Sequence, residues 1–210
     1  MKPLPLQGVR VLDISQVMAG PYACMLLGDM GADVIKIEPP GTGDQTRGSM
    51  GFKMKGADSL GFLNMNRNKR SVTLDLKTEA GKEVLLRMAR DADILIENYR
   101  PGALRRMGLG YDVLQAINPR LVYTSISGFG QSGPWADRPG FDLMAQAMSG
   151  VMSVTGTPDA PPVKAGPAIC DFFGGAHLYG AIVTALLRRT APATRPRQGR
   201  GPRRRPRRLG

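Results

Sequence analysis

Apolar and polar positions alternate along this chain in two rhythms. Val9–Ile14 is a short β-rich run. Pro21 to Met30 reads as a helix, with Pro in its first turn and Gly31 at its stop. Asp33–Glu38 is the next strand, ended by Pro39, Pro40 and Gly41, and a long loop follows to about Gly61. Ser71–Leu76 is a third strand. Thr78–Arg90 is an amphipathic helix with Val84, Leu85 and Met88 at helical spacing. Ile94–Asn98 and Leu121–Ile126 are further strands, separated by two short helices, and Phe172–Leu187 reads as a buried helix. Strand and helix alternate, which predicts an α/β fold: a parallel sheet with helices on both faces.

Ligands of such sheets bind beyond the carboxyl ends of the strands. Those ends carry Ser15–Gly20, Glu38–Gly41, Glu97–Arg100 and Ser127–Gly130. Glu38 at the end of the second strand suggests a dinucleotide ribose. The first turn argues against it: Gln16–Ala23 lacks G-x-G-x-x-G, and close approach to a pyrophosphate needs those glycines.

Composition adds one asymmetry. The formal net charge is +12 and the pI about 10.3. Ten of the 29 Lys and Arg fall from Arg188 onward, with no acid among them. Residues 1–187 therefore hold 19 basic against 17 acidic groups and are nearly neutral. The division expected is a domain over 1–189 and an Arg/Pro/Gly-rich tail over 190–210, disordered for want of apolar side chains. Nothing aromatic interleaves the tail arginines, so no specific nucleic-acid recognition is expected. Cys24 and Cys170 form no metal-ligand spacing and no disulfide framework, and a reducing cytoplasm is the simplest setting. No secretory h-region is read at the N-terminus. No apolar run reaches the ~18 residues of a membrane span, so no membrane partner is expected.

One carboxylate stands out. Asp171 follows a Pro- and Gly-rich loop and opens the apolar segment 172–187. There it would meet the positive end of a helix dipole, which favours the ionised form. That suits a nucleophile, and equally a helix N-cap.

Six stretches in order now resemble one family. They are PLQGVRVLD (5–13), AGP (19–21), LGDMGADVIKIEPPG (27–41), NKRSVTLDLK (68–77), ADILIENYRPG (92–102) and PGFD (139–142). The chain resembles the class III CoA-transferases, the CaiB/BaiF group, which includes formyl-CoA transferases, from about Pro5 to Leu187. The resemblance implies the Rossmann-like large domain of that family, with its second domain missing. It places Asp171 at the family's nucleophilic aspartate. It implies a transfer of CoA from an acyl-CoA thioester to a carboxylic acid acceptor through an aspartyl mixed anhydride. CoA is then a substrate, with no permanently bound cofactor and no metal. By position-for-position match, Val17, Met18 and Ala19 line the CoA path. Leu74, Asp75, Lys77, Asn98, Tyr99, Arg100 and Arg106 meet its nucleotide and phosphates, for which arginine's forked guanidinium is suited.

The racemase branch of the family places a His before the Asp of its Gly-x-Asp run. Here that residue is Phe141, and a phenyl ring takes no proton. The single histidine, His177, lies six residues past Asp171, about 240° around a helix, and reads as a packing residue. Transfer is favoured over racemisation. Family members are about twice as long and form interlocked homodimers. The chain is therefore expected to be a truncated, poorly active transferase, the tail standing where a frameshift would put it. The alternative is an inactive CoA-binding fragment.

Overall fold

The computed structural model describes residues 2–53, 56 and 58–190. Of the tail expected to be disordered over 190–210, Thr190 is the last residue of a helix and the remainder lies outside the described residues.

Five parallel strands form one sheet: β1 (Arg10–Asp13), β2 (Asp33–Glu38), β3 (Lys69–Thr73), β4 (Ile94–Glu97) and β5 (Val122–Ser125), in the order β3-β2-β1-β4-β5. β1 and β4 meet at the centre, with Val11 opposite Ile94 and Asp13 opposite Ile96. Here the strand order reverses, which opens a crevice beyond the carboxyl ends of both strands.

Side chains alternate across the pleat and feed two cores. On one face Leu12, Ile14, Ile37 and Leu95 meet Leu85 and Ala89 of helix α4 (Glu79–Arg90), with Leu104 and Leu114 of the short helices α5 (Ala103–Arg106) and α6 (Tyr111–Ile117). On the other, Val11, Val34, Ile94 and Ile96 meet Cys24 and Leu27 of α1 (Ala19–Asp29) and Ile182 and Leu186 of α8 (Ile169–Thr190). The expected parallel α/β fold is the one observed.

The segment expected as a loop to about Gly61 contains one short helix, α2 (Thr46–Ser49), and ends where α3 (Leu60–Asn66) begins. The Ser59 hydroxyl caps α3 by accepting from the Phe62 amide at 3.0 Å. β3 begins two residues before the expected Ser71. The reason is Lys69, whose ammonium is buried against Asp13 and the Pro21 carbonyl, so a cation occupies a place where an apolar residue was sought. Helix α7 (Asp142–Met148) and a 3₁₀ turn at Val151–Val154 precede the loop to α8.

α8 is not the buried helix its composition predicts. Gly175, Ile182 and Leu186 are buried, whereas Phe173 and Leu187 stand 63% and 64% exposed. Apolar composition does not say which neighbours are present. At 22 residues α8 also corrects the expectation on run length: by length and composition it could cross a membrane. Here its buried face lies on the sheet and α1.

Candidate active site

The crevice is built on a turn without the glycines of a dinucleotide loop. After β1 the chain runs through Ser15, Gln16 and Val17 into α1. Val17 has φ +71°, a left-handed conformation that strains a β-branched residue. Side chains from elsewhere hold each residue of the turn. Lys36 Nζ donates to the Ser15 carbonyl at 2.9 Å. Asn98 Oδ1 accepts from the Gln16 amide at 2.9 Å, and its Nδ2 donates to the Gln16 carbonyl at 2.6 Å. Asp44 accepts from the Val17 amide at 3.3 Å.

Beneath the turn lies a buried charge cluster. Lys36 reaches Asp44 at 2.9 Å and Asp13 at 3.9 Å, and Lys69 reaches Asp13 at 2.9 Å. Burial alone would push the Asp13 carboxyl up. The Lys69 and Lys36 ammonium groups and the Ser15 hydroxyl outweigh it and bring it down to about 2. The neighbouring Cys24 thiol is pushed well up by burial and by Asp13. Glu38 is equally committed. Arg47 grips it through two 2.7 Å bonds, and Ser71 and the Asp44 amide complete its shell. Against the upward push of burial, these bonds bring its carboxyl to about 2. Its oxygens serve the loop, so a ribose-binding role has no place, as the missing glycines implied.

Asp171 is the third residue of α8, not its N-cap. The capping is done from α7: Asp142 Oδ1 accepts from the amides of Cys170 at 2.8 Å and Asp171 at 3.3 Å. The expected preference for the ionised form is also corrected in direction. Burial first, and the Asp142 charge second, raise the Asp171 carboxyl above its ordinary value. α8 starts beside the head of α1. Tyr22 and Phe172 pack edge to face with ring centres 5.0 Å apart. Gly175 lies so close to α1 that an added Cβ would stand 2.6 Å from the Ala19 carbonyl oxygen. Asp171 thus stands in the first turn of the helix that packs on the head of α1, at Ala19 and Tyr22.

The other expected contacts spread along the same edge. Val17 and Met18 lie in the β1–α1 turn and Ala19 opens α1, and all three are partly exposed. Asn98 joins that turn, but both atoms of its amide are spent on Gln16. Tyr99 follows, half-buried, and burial raises its phenol. Arg100 and Arg106 are exposed beyond β4, and Lys77 is exposed beyond β3. None of the three forms an ion pair among the described residues. Leu74 and Asp75 lie past β3 at the sheet edge, and Asp75 Oδ1 closes its own turn onto the Lys77 amide. β3 and β4 are separated by β2 and β1, so the contacts expected of one nucleotide fall in two groups.

After β5, Gly128 and Gly140 touch so closely that a Cβ on either would fall within 2.4 Å of the other's Cα. They close a loop in which Phe129 packs on Trp135 and Arg138 lies over the Trp135 ring. Phe141 is exposed. His177, expected to pack, is exposed on the outer face of α8 with Nδ1 on the Phe173 carbonyl at 2.8 Å. Among the described residues no group of His, Cys, Asp and Glu could hold a metal ion.

The sequence profile of CoA-transferase family III matches residues 6–201, and the chain belongs to that family. It is 48% identical over 185 residues to a succinyl-CoA:glutarate CoA-transferase of Mus musculus, covering 88% of this chain and 42% of that protein. It is 50% identical over 184 residues to a formyl-CoA:oxalate CoA-transferase of Rhodopseudomonas palustris, covering 88% and 43%. The crystal structure of a CaiB/BaiF family protein from Brucella suis matches with a TM-score of 0.85 at 44% identity, covering 90% of this chain and 50% of that one. The chain spans half the length, or somewhat less, of these relatives.

Proposed function

We propose that this chain is the nucleophile-bearing part of a CoA-transferase. In this reading the Asp171 carboxylate attacks the carbonyl of an acyl-CoA thioester, CoA leaves as its thiolate, and an aspartyl mixed anhydride remains. The CoA thiolate then attacks the aspartyl carbonyl, and the donor acid leaves as its carboxylate. The acceptor carboxylate displaces the thiolate from the aspartyl thioester. The thiolate attacks the acceptor's carbonyl in the new anhydride, which frees the Asp171 carboxylate and leaves CoA on the acceptor. The observation that carries the reading is the half-buried carboxylate in the first turn of α8, whose next residue, Phe172, packs on Tyr22 of α1, in a member of this family. Lys77, Arg100 and Arg106, exposed and without ion pairs among the described residues, are suited to the phosphates of CoA. The relatives named above act on succinyl, glutarate, formyl and oxalate groups, so short dicarboxylates are the acceptors of choice. Racemisation finds no base at Phe141, and His177 lies on the outer face of α8, about 240° around the helix from Asp171.

A second reading has its own support: a CoA-binding fragment without turnover, favoured by the length of the relatives. In this reading water exclusion and oxyanion donors belong to the half of the relatives that this chain does not match, and one such donor is worth about 10²–10³ in rate. A homodimer in the cytosol, with both thiols unpaired, completes the proposal. Succinyl-CoA labelled in the acyl group tests it. Label on Asp171 by peptide mass, lost in Asp171→Ala while CoA binding stays within a few-fold, supports the nucleophile. CoA binding without label supports the fragment. Label that survives Asp171→Ala refutes the assignment.

A further inference from the structure

The strand of chain that delivers Asp171 is tied down by side chains of α7. The first amides of a helix have no partner inside it. Ala168, just before α8, offers no side-chain acceptor. Asp142, the first residue of α7, supplies one from a distant part of the sequence: its Oδ1 receives the amides of both Cys170 and Asp171. Its Oδ2 accepts from Gln146 Nε2 at 2.6 Å, one turn along the same helix. Gln146 is fully buried, and its Oε1 accepts from the Ala165 amide at 2.8 Å. Three backbone N–H groups of residues 165–171 therefore end on two side chains of α7.

We propose that Asp142, buttressed by Gln146, is a positioning residue for Asp171: it fixes the first turn of α8 and lends a negative charge that favours the acylated, neutral state of the nucleophile. The inference rests on the reading of Asp171 as the group that is acylated. In that step an Asp171 oxygen bonds to the thioester carbonyl carbon, the C–S bond breaks, and its electron pair leaves on the CoA sulfur. The free carboxylate is an anion beside a second anion; the anhydride is uncharged. Acylation thus removes one of two like charges from a half-buried site, and the repulsion goes with it. Among the described residues no Lys or Arg pairs with either carboxylate. On the α1 side the group packed against this turn is Tyr22, and on α8 itself the titratable neighbour is Cys170, whose thiol burial, Asp142 and Asp171 together raise. The upward displacement of the Asp171 carboxyl agrees with this arrangement.

Two variants separate the two parts of the role. Asp142→Asn keeps an oxygen for the two amides and removes the charge; Asp142→Ala removes both. In the 210-residue chain, hydrogen exchange at the Cys170 and Asp171 amides should quicken about fivefold in Asp142→Ala, as for a lost helix cap, and stay within about twofold in Asp142→Asn. The Asp171 carboxyl, followed by carbon NMR, should titrate lower in Asp142→Asn than in the parent. Unchanged titration in Asp142→Asn, or unchanged exchange in Asp142→Ala, overturns the proposal. Should Asp142→Ala not fold, the Asp142→Asn titration decides. Acylation by succinyl-CoA is read separately: a parent chain that takes no label strikes the nucleophile reading, while exchange and titration still judge the role of Asp142.

Discussion

The Lys36 ammonium lies 2.9 Å from the Asp44 carboxylate, with both side chains all but sealed from solvent. A buried ion pair is weak support for stability by itself, because desolvation consumes most of its attraction. This pair does a second job. Lys36 also binds the Ser15 carbonyl, and Asp44 also receives the Val17 amide. Together with Asn98 they hold in place a turn whose Val17 is left-handed. Where dinucleotide folds use glycine to shape this turn, this chain uses buried charge.

Removing the cation should therefore be worse than neutralising its partner. Lys36→Met strands Asp44 without its cation and leaves Asp13 with Lys69 alone, a loss of about 3–5 kcal/mol by analogy with broken buried pairs. Asp44→Asn retains an acceptor for the Val17 amide, and Lys36 keeps Asp13, so about 1–2 kcal/mol is expected. Urea unfolding of the two variants checks the order. Equal losses would show that the charge of the pair does not hold the turn.

The acid and neutral limbs of stability should respond to different carboxyls. Asp13 sits at about 2 in the fold, below its ordinary value. A depressed carboxyl contributes stability above its unfolded pKa and loses it as pH falls toward the folded one. For Asp13 that window runs from about pH 4 to about 2 and is worth about 2 kcal/mol in full. Glu38 acts in the same direction. Glu97 has the opposite sign: burial raises it, its bonds from the Ser125 side chain, the Tyr99 amide and the Tyr123 hydroxyl notwithstanding. Its contribution is full below the ordinary Glu value and is lost as pH rises through the raised one. Unfolding free energy measured against pH should thus fall steeply below pH 4, and Glu97→Gln should gain stability at pH 7 but not at pH 4. A gain at both, or at neither, would contradict the assignment.

The strands were legible where apolar runs end at Gly or Pro, as in Asp33–Glu38 before Pro39. β3 was misread at its start, where a charge is buried: Lys69 opens it, and sequence pattern counts a lysine as surface. Lys36 left the bounds of β2 legible and hid only its own burial. Asp44 carries no local signal, because its partner Val17 is 27 residues away and meets it only through the sheet. Asp171 was found through its place between a loop and an apolar segment, and its cap was misassigned because Asp142 reaches it from 28 residues before Cys170. The Gly-Phe-Asp run was visible; what its carboxylate bonds to was not.

Among the described residues, the segment 141–190 exposes several large apolar side chains. Phe141, Leu143, Val154, Phe173 and Leu187 are each more than half exposed. On α8 the outward residues Phe173, Ala176, Gly180, Thr184 and Leu187 follow one another at helical spacing, so they form a stripe down the side of the helix away from the sheet. Contiguous exposed apolar area marks a surface that another protein surface covers. Each large side chain in the stripe is worth about 1.5–3 kcal/mol if fully buried. Sedimentation velocity should accordingly show the 210-residue chain associating as its concentration rises. Phe173→Lys combined with Leu187→Glu should return it toward monomer without loss of helix content, since both side chains point away from the core that Ile182 and Leu186 fill. A parent chain that stays monomeric throughout, or a double variant that associates as before, would show that this face is not where the copies meet.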